Sequence, residues 1–203
     1  MHHITPLANL ESILRSKALI ARNFLENNFI DTADNNIIIK RQNVDGNNLN
    51  DYVPFHNDHL QKKYGIAYNY NVCRSNGKEN MIFLIFDPNN ITISPNNVCL
   101  FYLYHPVCIH KILCNNLGTL AIKMEEEEEK LPKRSLDNRL NFKSKKVQDF
   151  LMSEILVFRS VSLDYLEKIY VSNIEIKNNV ELLLKNYNLT NIEVIIDNDF
   201  YKC

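Results

Sequence analysis

Carboxylates, cations and imidazoles build group-transfer sites, and in this chain they fall in a few places. Glu154 heads the run Glu154-Ile155-Leu156-Val157-Phe158. A carboxylate leading an apolar strand has its backbone held by packing, as a site carboxylate requires, although an ordinary strand glutamate looks the same. Asp149, in Gln148-Asp149-Phe150, is a rival of the same type. Lys40-Arg41 offers a guanidinium fork suited to bidentate contact with phosphate. His2 and His3 precede Thr5-Pro6, and His56 and His59 follow the run Tyr52-Val53-Pro54-Phe55. Cys108, His110 and Cys114 are soft metal ligands, but three of them without a fourth in register are a weak zinc signal. Buried or inert thiols suit the five cysteines better.

The elements that must position these residues alternate along the chain. Thr5-Pro6 reads as N-cap and first helical residue, and Leu7, Leu10, Ile13 and Leu14 predict a helix over 6–17. Residues 24–51 read as polar and irregular, with a short helix around 34–41. The run 52–55 is strand-like, and its internal proline puts it at an edge or a bulge. Residues 81–86, Met-Ile-Phe-Leu-Ile-Phe, are the clearest buried strand, ending in an Asp-Pro-Asn-Asn turn. Residues 91–94 alternate, 98–104 are β-rich, and 125–146 read as a charged loop. One helical turn over 147–152 leads into a strand at 154–158. Ser162 caps a short helix through 168, followed by a strand at 169–171. Val180, Leu183, Leu184 and Tyr187 predict a helix over 175–187, and 192–196 closes as a strand.

Interspersed strands and helices without regular βαβ units favour an α+β fold. The chain has 203 residues, 45% of them hydrophobic and 23% charged, which fits a single domain over 1–203. No apolar run approaches the ~18–20 residues of a membrane span, and no secretory signal is visible, so the expectation is a cytoplasmic protein. A net charge of −1 does not announce a nucleic-acid binder. The charges are segregated, however. Five glutamates at 125–129 precede a strip holding Lys130, Lys133, Arg134, Arg139, Lys143, Lys145 and Lys146. Such a strip could track phosphates or simply be solvated. Walker, dinucleotide-binding, nucleophile-elbow and HExxH motifs are absent, as are internal repeats.

Three segments together resemble the DarT family of DNA ADP-ribosyltransferase toxins. His3-Ile4-Thr5, with Asn9-Leu10 and Ile13-Leu14, resembles the family's N-terminal His-x-Thr element. Asp31 and Asp34, then Ile39-Lys40-Arg41, then Asp51 and Tyr52-Val53-Pro54-Phe55, resemble its arginine element and Tyr-Val-Pro-Phe strand. Ser153-Glu154-Ile155-Leu156-Val157 resembles the Ala-Glu-Phe-Leu-Val segment that carries the catalytic glutamate. The match spans 3–171 but is poor over 57–145. No segment is specific alone; their order and spacing make the match specific.

The resemblance implies two small, roughly perpendicular β-sheets around an NAD cleft, with flanking helices. It implies transfer of ADP-ribose from NAD, the substrate, to a base of single-stranded DNA. It also implies the toxin half of a toxin–antitoxin pair, with a macrodomain antitoxin of the DarG type. Glu154 would bind the ribose 2′-hydroxyl, stabilise the oxocarbenium-like cation and deprotonate the attacking base. Placing Asp149 there would cost the match of Tyr165-Leu166-Glu167-Lys168-Ile169 to the following segment. Arg41, with Lys40 as the adjacent alternative, would hold diphosphate or a substrate phosphate. His3 would bind the ribose nearest adenine or the diphosphate, supported by Thr5 and Asn9 beside a helix N-terminus. Tyr52 and Phe55 would stack on nicotinamide or wall its pocket, with core packing an equal role for Phe55.

The chain departs from the family at His56-Asn57-Asp58-His59, where further aromatic and proline residues are usual. That departure, and the unrecognisable stretch 105–153, leave the modified base open. RNA, a protein side chain or water are alternative acceptors, and a module that binds NAD or nucleic acid without turnover is a reading of another class.

Overall fold

The computed structural model describes residues 1–25, 29–131 and 144–201. The strands are β1 (His2–Pro6), β2 (Ala18–Ile20), β3 (Tyr52–Phe55), β4 (Met81–Phe86), β5 (Cys99–Tyr102), β6 (Leu113–Cys114), β7 (Glu154–Phe158), β8 (Ser160–Ser162), β9 (Leu166–Val171) and β10 (Glu193–Ile196). The helices are α1 (Leu10–Ser16), α2 (Asn35–Lys40), α3 (Asp58–Tyr64), α4 (Ala67–Asn76), α5 (Pro88–Ile93), α6 (Leu117–Glu129), α7 (Lys145–Leu151) and α8 (Ile174–Asn186).

Two four-stranded sheets and a short ribbon carry the fold. The first sheet has the order β1-β4-β9-β10, antiparallel except for the β9–β10 pair, which α8 connects. β4 is apolar without alternation because both its faces are covered. Ile82, Leu84 and Phe86 enter the main core, while Met81, Phe83 and Ile85 enter a second cluster closed by Phe200 and Tyr201. The second sheet has the order β3-β7-β5-β6. β7, headed by Glu154, is an interior strand, with Pro54 opposite Leu156 on one side and Tyr102 opposite Glu154 on the other. Pro54 lacks an N–H to donate, so β3 takes the edge the proline predicts. The ribbon pairs β2 with β8.

Several boundaries differ from the sequence reading, each for a local reason. Thr5 and Pro6 do not open a helix; they pair with Ile82 and Met81, and α1 begins only at Leu10 after a 3-10 turn over Leu7–Asn9. Strand pairing there overrides the Thr-Pro signature. Residues 91–93 belong to α5, which Asp87 caps by accepting from the Asn89 N–H, with Pro88 at the first position. The expected turn is thus a helix start. Residues 125–129 are the last turn of α6, not a loop. The Glu127 carboxylate meets Tyr104 and Lys130, and that of Glu128 meets His59, Lys63 and Tyr64. These contacts offset the cost of acidic residues at a helix C-terminus. Of the basic strip, Lys133, Arg134, Arg139 and Lys143 lie outside the described residues. Lys130, Lys145 and Lys146 pair with Glu127, Asp149 and Glu127. Ser162 does cap a turn, but a 3-10 turn over Leu163–Tyr165 that gives way at once to β9. No helix among the described residues is long and apolar enough to cross a membrane.

Candidate active site

Glu154 and Arg41 meet, although 113 residues separate them in sequence. The Arg41 Nη1 donates to both carboxylate oxygens, at 3.1 and 2.9 Å. Both residues are buried, at 3% exposure for Glu154 and 8% for Arg41. Lys40 is exposed, so the arginine of the pair is the one that turns inward. Arg41 follows α2, which Asp34 caps through the Asn36 N–H, and the Asn50 side chain donates to the Ile38 carbonyl. The other arm of the fork, Nη2, is buried without a partner among the described residues. It is a donor with capacity for a substrate oxygen.

Burial alone would push the Glu154 carboxyl upward. The charge of Arg41, the imidazoles of His105 and His56 when they carry a proton, and the Arg41 hydrogen bond outweigh it and hold the carboxyl below its usual range. The His105 Nε2 lies 3.6 Å from the Glu154 carboxylate, and the His56 Nδ1 donates to the Ser153 carbonyl at 3.3 Å. Burial pushes His105 down and His56 down to about 3, so both imidazoles are neutral near pH 7 and Arg41 is the effective countercharge. Nothing in the sequence marks His105. It is an isolated histidine in the stretch without recognisable motif, brought in by its backbone N–H, which donates to the Asp149 carbonyl at 2.7 Å. Asp149 itself pairs with Lys145 at 2.7 Å and has no arginine partner among the described residues.

Arg41 is also part of the wall of a cleft of about 100 Å³ formed with His3, Thr5, Arg22, Tyr52 and Tyr68, among others. The Glu154 carboxylate is not in that wall; it lies one side chain behind it, held by Arg41. The His3 Nδ1 donates to the Pro54 carbonyl at 2.9 Å. A carbonyl only accepts, so that contact puts the proton on Nδ1 and leaves Nε2 as an acceptor. Burial lowers His3 to about 4, which keeps the ring neutral and suits it to a hydroxyl donor more than to a phosphate. His2 points the other way, to Asp58 and Asn69. Thr5 is in the wall, whereas Asn9 is spent behind it. The Asn9 amide donates to the Thr5 hydroxyl and the Ile30 carbonyl and accepts from the Ile30 N–H, pinning the 29–32 segment to the cleft. Tyr52 is in the wall, and Phe55 is not. Phe55 lies on the opposite sheet face, fully buried with its ring 5.3 Å from that of Phe86. His56 is a buried core imidazole and His59 an exposed partner of Glu128. Sequence reasoning missed Arg22, which forks onto Asp31 with contacts of 2.8 and 2.9 Å, and Tyr68, whose hydroxyl is 3.5 Å from that of Thr32. Both stand alone in segments without a motif.

A larger cavity of about 920 Å³ lies across the sheet, against Phe55, Phe101 and Ile155. Ser153, Glu154 and Ile155 at the start of β7 are among its lining residues, although alternation along the strand puts the Glu154 side chain on the face of Tyr52, Tyr102 and Leu156. Its described lining holds Asp58, Glu125, Glu128 and Glu154 itself and no lysine or arginine, the wrong sign for a diphosphate. The cationic groups gather instead at the smaller cleft, whose wall holds Arg22 and Arg41. Among the described residues no group of three or more His, Cys, Asp or Glu could hold a metal ion.

The buried imidazoles fix an acid response. His3 and His56 stay neutral when folded down to about pH 4 and 3, but take a proton near 6.5 when unfolded. The unfolded chain thus binds more protons below pH 6.5, and stability falls as pH drops from there. Glu154 acts in the same sense at lower pH, because stability from a depressed carboxyl is present above its ordinary value and lost below it. We expect a flat Tm above pH 7, a steady decline from 6.5 to 4, and a shallower decline in His56→Gln. A Tm independent of pH from 7 to 4 would contradict the buried neutral imidazoles.

The family model described as "ssDNA thymidine ADP-ribosyltransferase, DarT" matches residues 2–202. A search of curated proteins finds no match. Among solved structures, the chain is similar to Thermus sp. 2.9 DarT in complex with ADP-ribosylated ssDNA, with a TM-score of 0.76 at 22% identity over 98% of this chain and 94% of that one. It is similar to Thermus sp. 2.9 DarT in complex with NAD+, with a TM-score of 0.73 at 22% identity over 98% and 95%. It is also similar to Thermosipho africanus DarTG in complex with ADP-ribose, with a TM-score of 0.71 at 20% identity, covering 98% of this chain and 50% of that one. At this identity the structures speak for the fold, and the family match, over nearly the whole sequence, speaks for kinship. A buried arginine–glutamate pair behind a histidine-walled cleft thus sits in a chain that belongs to the DarT family of ssDNA thymidine ADP-ribosyltransferases.

Proposed function

We propose that this chain cleaves NAD at the nicotinamide–ribose bond and transfers the ADP-ribose to thymine in single-stranded DNA, with Glu154 and Arg41 as the catalytic pair. The observation that carries this is the contact between a buried carboxylate and an arginine of a cleft that also presents an acceptor imidazole. Loss of nicotinamide leaves positive charge on the anomeric carbon, and a carboxylate held ionised in a buried site stabilises that charge better than one in water. The free Nη2 of Arg41 takes an oxygen of NAD or of the acceptor base. The His3 Nε2 accepts from a ribose hydroxyl, and Tyr52 walls the ring.

The new bond joins a thymine ring nitrogen to the anomeric carbon, the glycosidic bond to nicotinamide breaks, and the nitrogen loses its proton. The lowered Glu154 is a weak base at rest. It takes that proton as the bond forms, when attack on the cation makes the N–H acidic. A cleft of about 100 Å³ is below the ~300–1,000 Å³ of a ligand pocket, so NAD binding parts its walls and draws Arg41 aside to uncover the carboxylate. We place the reaction in the cytoplasm and assign reversal of the mark to a DarG-type macrodomain partner.

The test is incubation with NAD and short oligonucleotides. Mass gain on thymine-containing single-stranded DNA, and none on thymine-free DNA or on RNA, is the expected outcome. Gain on RNA or on the protein, or nicotinamide release with no modified polymer, would replace the acceptor.

A further inference from the structure

Outside the cleft, three side chains form a surface that the reaction as described does not use. Phe158 ends β7, four residues after Glu154 and on the same sheet face. That is roughly 13 Å from Glu154 along the strand. Its ring lies 5.3 Å from that of Tyr52, which is in the cleft wall, and 6.2 Å from that of Phe24. The Arg159 guanidinium lies over the Phe24 ring at 5.0 Å. Phe24 and Phe158 are 40% and 37% exposed, and Arg159 is exposed and makes no ion pair among the described residues.

Scattered exposed phenylalanines need no explanation, but two beside an arginine with no ion pair among the described residues, at the lip of a cleft, do. Nor is this a loosely held surface. Arg159 turns the chain at φ 62, its N–H donates to the Asp51 carbonyl at 2.8 Å, and its carbonyl accepts from the Ala21 N–H at 2.7 Å. The Asn23 amide donates to the Asp51 carboxylate at 2.7 Å. Three segments are thereby locked at one junction, and a side chain of β-branched or larger size tolerates a positive φ only where surroundings hold it.

The geometry points to Phe24, Phe158 and Arg159 as a stacking platform for the nucleobase next to the target thymine. Aromatic faces and a guanidinium plane bind any base through its π-face, and the arginine adds charge for the phosphate beside it. The surface lies outside the cleft wall and joins it through Tyr52, so a strand whose target base enters the cleft lays its neighbour over this rim. This rests on the acceptor being single-stranded DNA, as proposed above. Phe158 and Arg159 then select single strands, because a base in a duplex has no free face to offer.

The test compares two oligonucleotides, each with one thymine, flanked in one by natural bases and in the other by abasic positions. We expect the abasic flanks to lower kcat/KM of the full chain by about tenfold, through the KM for oligonucleotide. Phe158→Leu, which keeps the bulk and removes the π-face, should lose as much on the natural oligonucleotide and nothing further on the abasic one. Its KM for NAD should stay within about twofold, with Tm confirming the fold. Equal efficiency of the wild-type chain on both oligonucleotides overturns the platform alone. A rise in KM for NAD in Phe158→Leu also overturns it, by assigning the surface to the adenine of NAD. Modification of neither oligonucleotide overturns the functional reading and the platform with it.

Discussion

Glu154→Gln is expected to lower kcat for ADP-ribose transfer by roughly 10²–10³-fold, with less than a tenfold change in the Kd for NAD. Glutamine keeps the length of the side chain and an oxygen that accepts from a ribose hydroxyl, so substrate placement survives. What disappears is the negative charge, and charge matters only once the departing nicotinamide leaves the sugar electron-poor. Single-turnover nicotinamide release, set beside NAD titration by calorimetry, separates the two quantities. A variant that loses NAD binding in proportion to kcat would show that Glu154 holds the substrate and does little in the transition state.

Arg41→Ala should have the larger effect on stability. It removes the countercharge from a carboxylate that is 3% exposed and leaves two neutral imidazoles beside it. Breaking a buried pair from one side costs about 3–5 kcal/mol, and for a chain of this length that lowers Tm by roughly 10 °C. The sign of the companion change follows from the same charges. Without Arg41 burial prevails, the Glu154 carboxyl rises, and the loss of activity on acidification moves to higher pH. Replacing both partners, Arg41→Met with Glu154→Leu, should recover most of the lost Tm and none of the activity, since no charge is then stranded. If Arg41→Ala melts with the wild-type chain, the pair is not buried as described.

The sequence carried the strands better than it carried the cleft. β4 was legible because a strand covered on both faces must be apolar throughout. β3 was legible at its edge because of Pro54, and α8 through the spacing of Val180 and Leu184. Glu154 and Arg41 were legible only through family resemblance, since neither local pattern is unusual, and their mutual contact was not legible at all. Arg41 was expected to serve phosphate; in the free chain one arm is committed to Glu154 and only Nη2 is spare. Asn9 illustrates the opposite case, a residue read as near the ligand that acts by holding Thr5 and Ile30 in place. His105, Arg22 and Tyr68 had no signal because tertiary packing alone brings them in, through a backbone N–H, an aspartate fork and the α4 face. The misread boundaries at 5–6, 91–93 and 125–129 share one cause. Local cap and charge signals were weighed without the partner strand or helix that decides between their meanings.

The most direct measurement sets Glu154→Gln beside Asp149→Asn, the two carboxylates that compete for one role, and follows nicotinamide release with a thymine-containing single-stranded oligonucleotide. Asp149 pairs with a lysine and has no arginine of the cleft beside it. Release should collapse in Glu154→Gln and remain within about tenfold of wild type in Asp149→Asn. Collapse in the Asp149 variant with activity retained in the Glu154 variant would place the reacting sugar elsewhere and contradict the account.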